Sequence, residues 1–108
     1  MRIANNAGLS PISLYTELLA AVVADNLNVS KADLCSRGKS SHLVEAKEVF
    51  IISGRRLGAT LAQISDALGI NASTVSRRHD AAKRRMVIDQ RMSQATADVI
   101  RRYKLDES

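Results

Sequence analysis

Apolar residues recur at three- and four-residue intervals along most of this chain, the spacing that gathers them on one face of a helix. Ser10–Pro11 is a helix start, with serine as cap and proline at the first helical position. The predicted helix runs from about Pro11 to Asn26 and turns Ile12, Tyr15, Leu19, Val22 and Val23 inward, with Leu18 at the edge of the stripe. The residues before it, 1–9, are polar and glycine-containing and read as a flexible N-terminus. Ser30–Asp33 starts a short turn of helix through about Cys35. A longer helix is predicted from about His42 to Arg56, with Leu43, Ala46, Val49, Phe50 and Ser53 on its buried face. Gly54 and Gly58 bracket Arg55–Arg56–Leu57 and mark its end. Beyond residue 87, Ile88, Met92, Ala95, Val99, Ile100 and Tyr103 define an amphipathic last helix. It either folds back on the core or pairs with a second chain.

The stretch from Leu61 to His79 carries the densest set of constraints. Thr60 followed three residues later by Gln63 is a capping box. Ile64 and Leu68 lie one turn apart, and Gly69 stops the helix where a left-handed residue is needed. Ile70 plugs the turn, Asn71 caps the next helix, and Val75 sits where that helix must touch the first. This is the spacing of a helix-turn-helix, in which one helix braces a second against the DNA major groove. Three residues past Val75 an apolar residue is expected, and the chain has Arg78 instead. Val75, His79, Ala82 and Met86 restore the inward spacing if His79 takes that place.

Composition narrows the class. With 45% hydrophobic but only 3% aromatic residues and a single proline, the 108 residues favour an all-α bundle of about five or six helices over a sheet. Residues 10–108 are read as one domain. The net charge of +5 suits a polyanionic partner, and its distribution is more telling. Residues 1–36 carry a net −1, residues 37–60 a net +3 and residues 71–91 a net +4. Cationic charge therefore collects just before the helix-turn-helix and along its second helix. Cys35 is alone, so no internal disulfide forms, and in a small helical domain it is expected to be a buried small hydrophobe. The longest apolar run, Leu18–Ala24, is far short of the ~20 residues that span a bilayer. No signal core opens the chain, so the expected location is the cytoplasm, at the nucleoid.

In a helix-turn-helix the start of the second helix meets base edges, and cations further along hold phosphates. The recognition helix is predicted over about Ala72–Met86, with Ala72, Ser73 and Arg77 as base contacts. Arg77 suits a bidentate bond to guanine, Ser73 a small hydrogen-bonding contact and Ala72 a thymine methyl. Thr74, Arg78, Lys83 and Arg84 are assigned to phosphates, with Arg85 continuing the basic run. The loop Arg37–Ser41 contributes Arg37, Lys39 and Ser41 to the backbone, as a basic loop entering a helix N-terminus. Its Gly-Lys-Ser-Ser run is not a nucleotide-binding loop, because position 33 is aspartate where that motif needs glycine. His42 and His79 have no Cys or carboxylate at metal-ligand spacing from both, and no catalytic constellation stands out. The expectation is a protein that is not an enzyme, with no metal, cofactor, small-molecule substrate or membrane.

The order of parts from about Leu19 to Met86 resembles the C-terminal DNA-binding domain of the bacterial replication initiator DnaA. VVADNLNVSKADL enters a short turn, SRGKSSHLVEAKEVF supplies a basic loop and helix, and LAQISDALGINASTVSRRHDAAKRRM supplies the helix-turn-helix. The family's Asp-His-Thr-Thr-Val run stands here as Asn71–Ala72–Ser73–Thr74–Val75, which keeps the hydroxyl pair and the valine but not the acid or the histidine. The resemblance implies a Trp-repressor-like fold, also found at the C-terminal end of transposases associated with repetitive palindromes. It further implies that the basic loop reaches DNA backbone or minor groove. Locally, GINASTVSR is similar to the recognition segment of LacI-type repressors. Two other readings stay open: a dimeric transcriptional repressor or phage-type regulator paired through Ile88–Tyr103, and a helical module whose basic face meets an acidic protein.

Overall fold

The computed structural model describes residues 11–35 and 40–107, with side chains over 16–35 and 40–105. Within them the chain forms six helices and no strand: α1 (Pro11–Leu27), α2 (Lys31–Leu34), α3 (Ser41–Arg56), α4 (Leu61–Leu68), α5 (Ala72–Ile88) and α6 (Gln90–Glu107). The all-α bundle expected from composition is the observed class. Ser10, the serine of the predicted first cap, and the side chains of Ile12 and Tyr15 lie outside the described residues, while Leu19, Val22 and Val23 are buried as expected.

Helix α3 is the hub, and every other helix packs against it. Its run from Ala46 to Gly54 is buried throughout, with Val49, Phe50 and Ile51 fully enclosed. The Val-Phe-Ile-Ile segment supplies most of the apolar surface that such a central position calls for, while Lys47, Glu48 and Ser53 are buried polar members of the same run. Gly54 lies inside this helix and does not end it. A Cβ there would stand 3.2 Å from Ile64 Cδ1, tighter than an ordinary contact, so glycine eases the approach of α3 to α4. The helix ends at Arg56, the expected bound, with Leu57 as its cap.

Short local devices join the elements. Asn28 turns the chain after α1 at φ 59°, a left-handed conformation asparagine tolerates, and Ser30 caps α2 by accepting from Asp33 N at 2.9 Å. Cys35, expected to be buried, is exposed. Leu34 takes the buried place at the end of the single-turn helix, leaving Cys35 at its C-terminal cap with Sγ donating to the Ala67 carbonyl at 3.3 Å. Ser40 caps α3, and the His42 ring meets the Leu27 carbonyl at 2.8 Å, which ties the start of α3 to the end of α1.

Of the two arrangements the last helix allowed, it folds back. Met92, Val99 and Tyr103 are buried in the common core, where α6 packs on α1, α3 and α5. Buried Thr96 satisfies its hydroxyl on the Met92 carbonyl at 3.0 Å. Ile88 departs from the predicted stripe: it is 85% exposed, beside Val87 at 84%. The chain breaks at Asp89, so Ile88 belongs to the end of α5 and does not share the face that Met92 begins.

Candidate nucleic-acid interface

The joint between α4 and α5 is assembled from local hydrogen bonds. Thr60 N donates to Gln63 Oε1 at 2.8 Å and Gln63 N to Thr60 Oγ1 at 3.1 Å, so both halves of the capping box are made. Ile64 and Leu68 are buried, and Gly69 closes α4 at φ 71°, ψ 27°. Its amide and that of Ile70 both donate to the Ser65 carbonyl, while Ser65 Oγ donates back to the Ile70 carbonyl. Asn71 then caps α5: its Oδ1 accepts from Thr74 N and from Ser73 Oγ, each at 2.8 Å. Only three residues separate the two helices.

Val75 and Ala82 are the fully buried positions of α5, and they orient the rest of it. With that side against α3 and α4, Ala72, Ser73, Arg77, Asp80 and Arg84 are exposed, and Ser73, Arg77 and Arg84 share the outward line. Arg77 Nη2 reaches Thr74 Oγ1 only at 3.5 Å, so its guanidinium is barely held. Thr74, Arg78 and Arg85 run along the flank that leans toward α3. Lys83 lies on the opposite flank, paired with Asp80 at 3.9 Å with both side chains 60% exposed, a geometry worth little. Arg84 has no ion pair among the described residues. The structure therefore brings Ala72, Ser73, Thr74, Arg77, Arg78, Lys83 and Arg84 onto one helix. Ser41 is exposed in the first turn of α3, and Arg37 and Lys39 lie outside the described residues.

Charges beneath α5 were not evident from the sequence. Lys47 and Glu48, in the middle of α3, are both buried. Glu48 Oε1 stands 3.1 Å from Arg85 Nη1 without hydrogen-bond alignment. Burial raises the Glu48 pKa, opposed by the Arg85 and Arg78 cations. Burial also lowers that of Lys47, helped by Arg78. Half-buried His79 is lowered by burial and then by Lys83 and Arg55, with Asp80 opposing. Arg55, at the end of α3, is thus a further cation acting on α5, and its guanidinium donates to the Ala59 carbonyl at 2.8 Å. Its signal was the Gly-Arg-Arg-Leu-Gly run. Arg56 beside it is exposed and has no ion pair among the described residues.

No group of three or more metal-binding side chains occurs among the described residues, and no described helix is long and apolar enough to cross a membrane. No protein-family model and no curated protein matches the chain.

Proposed function

We propose that this protein binds double-stranded DNA sequence-specifically, with α4 and α5 acting as a helix-turn-helix of the Trp-repressor-like, DnaA C-terminal kind. The supporting observation is the outward line of α5. A capped N-terminus, a small exposed residue, a hydroxyl and a barely restrained guanidinium lead into a run of cations, while Val75 and Ala82 anchor the opposite side. A helix enters the roughly 12 Å major groove, and its N-terminal side chains meet base edges there. Ala72, Ser73 and Arg77 contact bases; Thr74, Arg78, Lys83 and Arg84 contact phosphates, joined by Arg37, Lys39 and Ser41 of the basic loop. On this reading the protein works at the nucleoid, in the cytoplasm.

A dimeric regulator is the second reading. Because Met92, Val99 and Tyr103 are spent on the core, its contact would fall to the exposed Val87, Ile88 and Leu105. It predicts a palindromic site with half-sites about one helical turn apart, whereas a monomer needs no palindrome.

Fluorescence anisotropy on labelled duplexes tests the assignment. Arg77→Ala should remove about 1–3 kcal/mol of discrimination at one base pair. Lys39→Ala should weaken binding to all sequences alike and reduce the salt slope by about 0.9. Unchanged affinity in Lys39→Ala would remove the loop from the interface, and unchanged base preference in Arg77→Ala would remove the arginine from the groove.

A further inference from the structure

Three arginines of α5 and α6 face carboxylates on α3 or α1. Glu48 lies against Arg85, Glu45 Oε2 accepts from Arg91 at 3.0 Å, and Asp25 Oδ2 accepts from Arg102 at 2.9 Å. The first has the most deeply buried carboxylate, at 3% exposed against 15% for Glu45 and 72% for Asp25. The Glu45 and Asp25 pairs each expose one partner heavily, at 81% for Arg91 and 72% for Asp25. The Glu48 side chain is only 3% exposed, against 44% for Arg85. A carboxylate buried to that degree keeps a cation beside it, because an unpaired buried charge is strongly unfavourable. Arg85 also sits one residue past Arg84, on the α5 flank shared with Thr74 and Arg78. Thr74 and Arg78 on that flank are assigned to phosphates in the reading above, so a guanidinium released there is a candidate for one more.

Resting on the DNA-binding reading above, we propose that Glu48 is a positioning residue that holds Arg85 out of the DNA interface and so limits how many phosphates the protein grips. Each phosphate neutralised adds about 0.9 to the slope of log affinity against log salt, on every sequence alike. Withholding one cation therefore lowers non-specific affinity and leaves base contacts untouched. In this arrangement the charged residue in the middle of α3 serves specificity from beneath the recognition helix.

The test is a set of salt titrations, at pH 8, of wild type, Glu48→Gln, Arg85→Ala and the double variant on one duplex. Circular dichroism checks that each is folded. Glu48→Gln is expected to steepen the slope by about 0.9, so that its affinity falls about 3.5-fold more than wild type between 50 and 200 mM salt. Arg85→Ala alone is expected to keep the wild-type slope, and the double variant to return to it. Should Glu48→Gln fail to fold, Glu48→Met fills the same volume without charge and is expected to give the same steepening. A wild-type slope in a folded Glu48 variant would make the residue a fold staple only. A flatter slope in Arg85→Ala would mean that the arginine already holds a phosphate. Either result overturns the proposal while DNA binding stands; wild type that binds no duplex overturns the DNA reading itself.

Discussion

The two ends of α5 are both one short step from another helix, yet they are built in different ways. At its start, Gly69 in a left-handed conformation, the Ser65 carbonyl accepting two amides, and Asn71 holding both Thr74 N and Ser73 Oγ make a turn whose every part is a local signal. Ile64 and Val75 are both buried in the common core, where α4 packs on α5. At its end there is neither glycine nor proline. A single extended residue, Asp89, closes α5 and caps the next helix by accepting from Met92 N at 3.1 Å, while Val87 and Ile88 stand in solvent. The first joint is fixed by several local hydrogen bonds at once, which suits the base-reading role proposed for this end. The second is a one-residue link, set by the Asp89 cap and by the packing of α6 on α1, α3 and α5.

Core truncation should separate the two most sharply. Ile64→Ala removes a fully buried side chain at the first joint and should cost about 2–5 kcal/mol in urea unfolding, whereas Ile88→Ala at the second should stay within about 0.5 kcal/mol. Comparable losses would mean that the distal end is buried in solution, as a dimer through Val87 and Ile88 would require. Caps come next. Asn71→Ala and Asp89→Ala should each cost about 1 kcal/mol, but only the first should also disturb base preference, because it frees Ser73 at the start of α5. Equal effects of both variants on a selected DNA site would erase the distinction between a reading end and a structural end.

The smallest effect concerns pH. Burial, with Lys83 and Arg55 nearby, holds the His79 pKa below its ordinary 6.5, so the unfolded chain takes up the proton first. The stability this contributes is fully present above about pH 6.5 and is lost as pH falls through that value toward the lowered folded pKa. Unfolding midpoints of wild type should therefore drop between about pH 7 and pH 5, and His79→Gln should flatten the drop. Parallel curves for the two proteins would assign the acid sensitivity to other groups.

This contrast also explains how much was legible in the sequence. Thr60–Gln63, Gly69, Asn71 and Val75 act within a few residues of one another, so reading them needs no tertiary information, and each is found in its expected role. The bounds of α1 and α3 were legible in the same local way, from Ser10–Pro11 at the start of α1 and from the glycines around Arg55–Leu57 at the end of α3. What escaped depends on contacts distant in the chain. Lys47 and Glu48 look like surface residues until α5 lies over them. Gly54 looks like a helix end until Ile64 is seen against it. Cys35 looks like a core residue until its thiol is seen at the Ala67 carbonyl, on the exposed edge beside α4. The outward face of α5 was legible because Val75 fixes the rotation of the helix; the withdrawal of Arg85 was not, because its partner is thirty-seven positions away.

The central claim is that α5 reads sequence, and selection of bound duplexes from a random pool at about 150 mM salt tests it most directly, since screening there limits non-specific attraction. An enriched motif is the predicted result, containing a position that loses its preference in Arg77→Ala. Absence of enrichment, with binding that fades as salt rises, would contradict it and leave a basic helical module suited to an acidic protein.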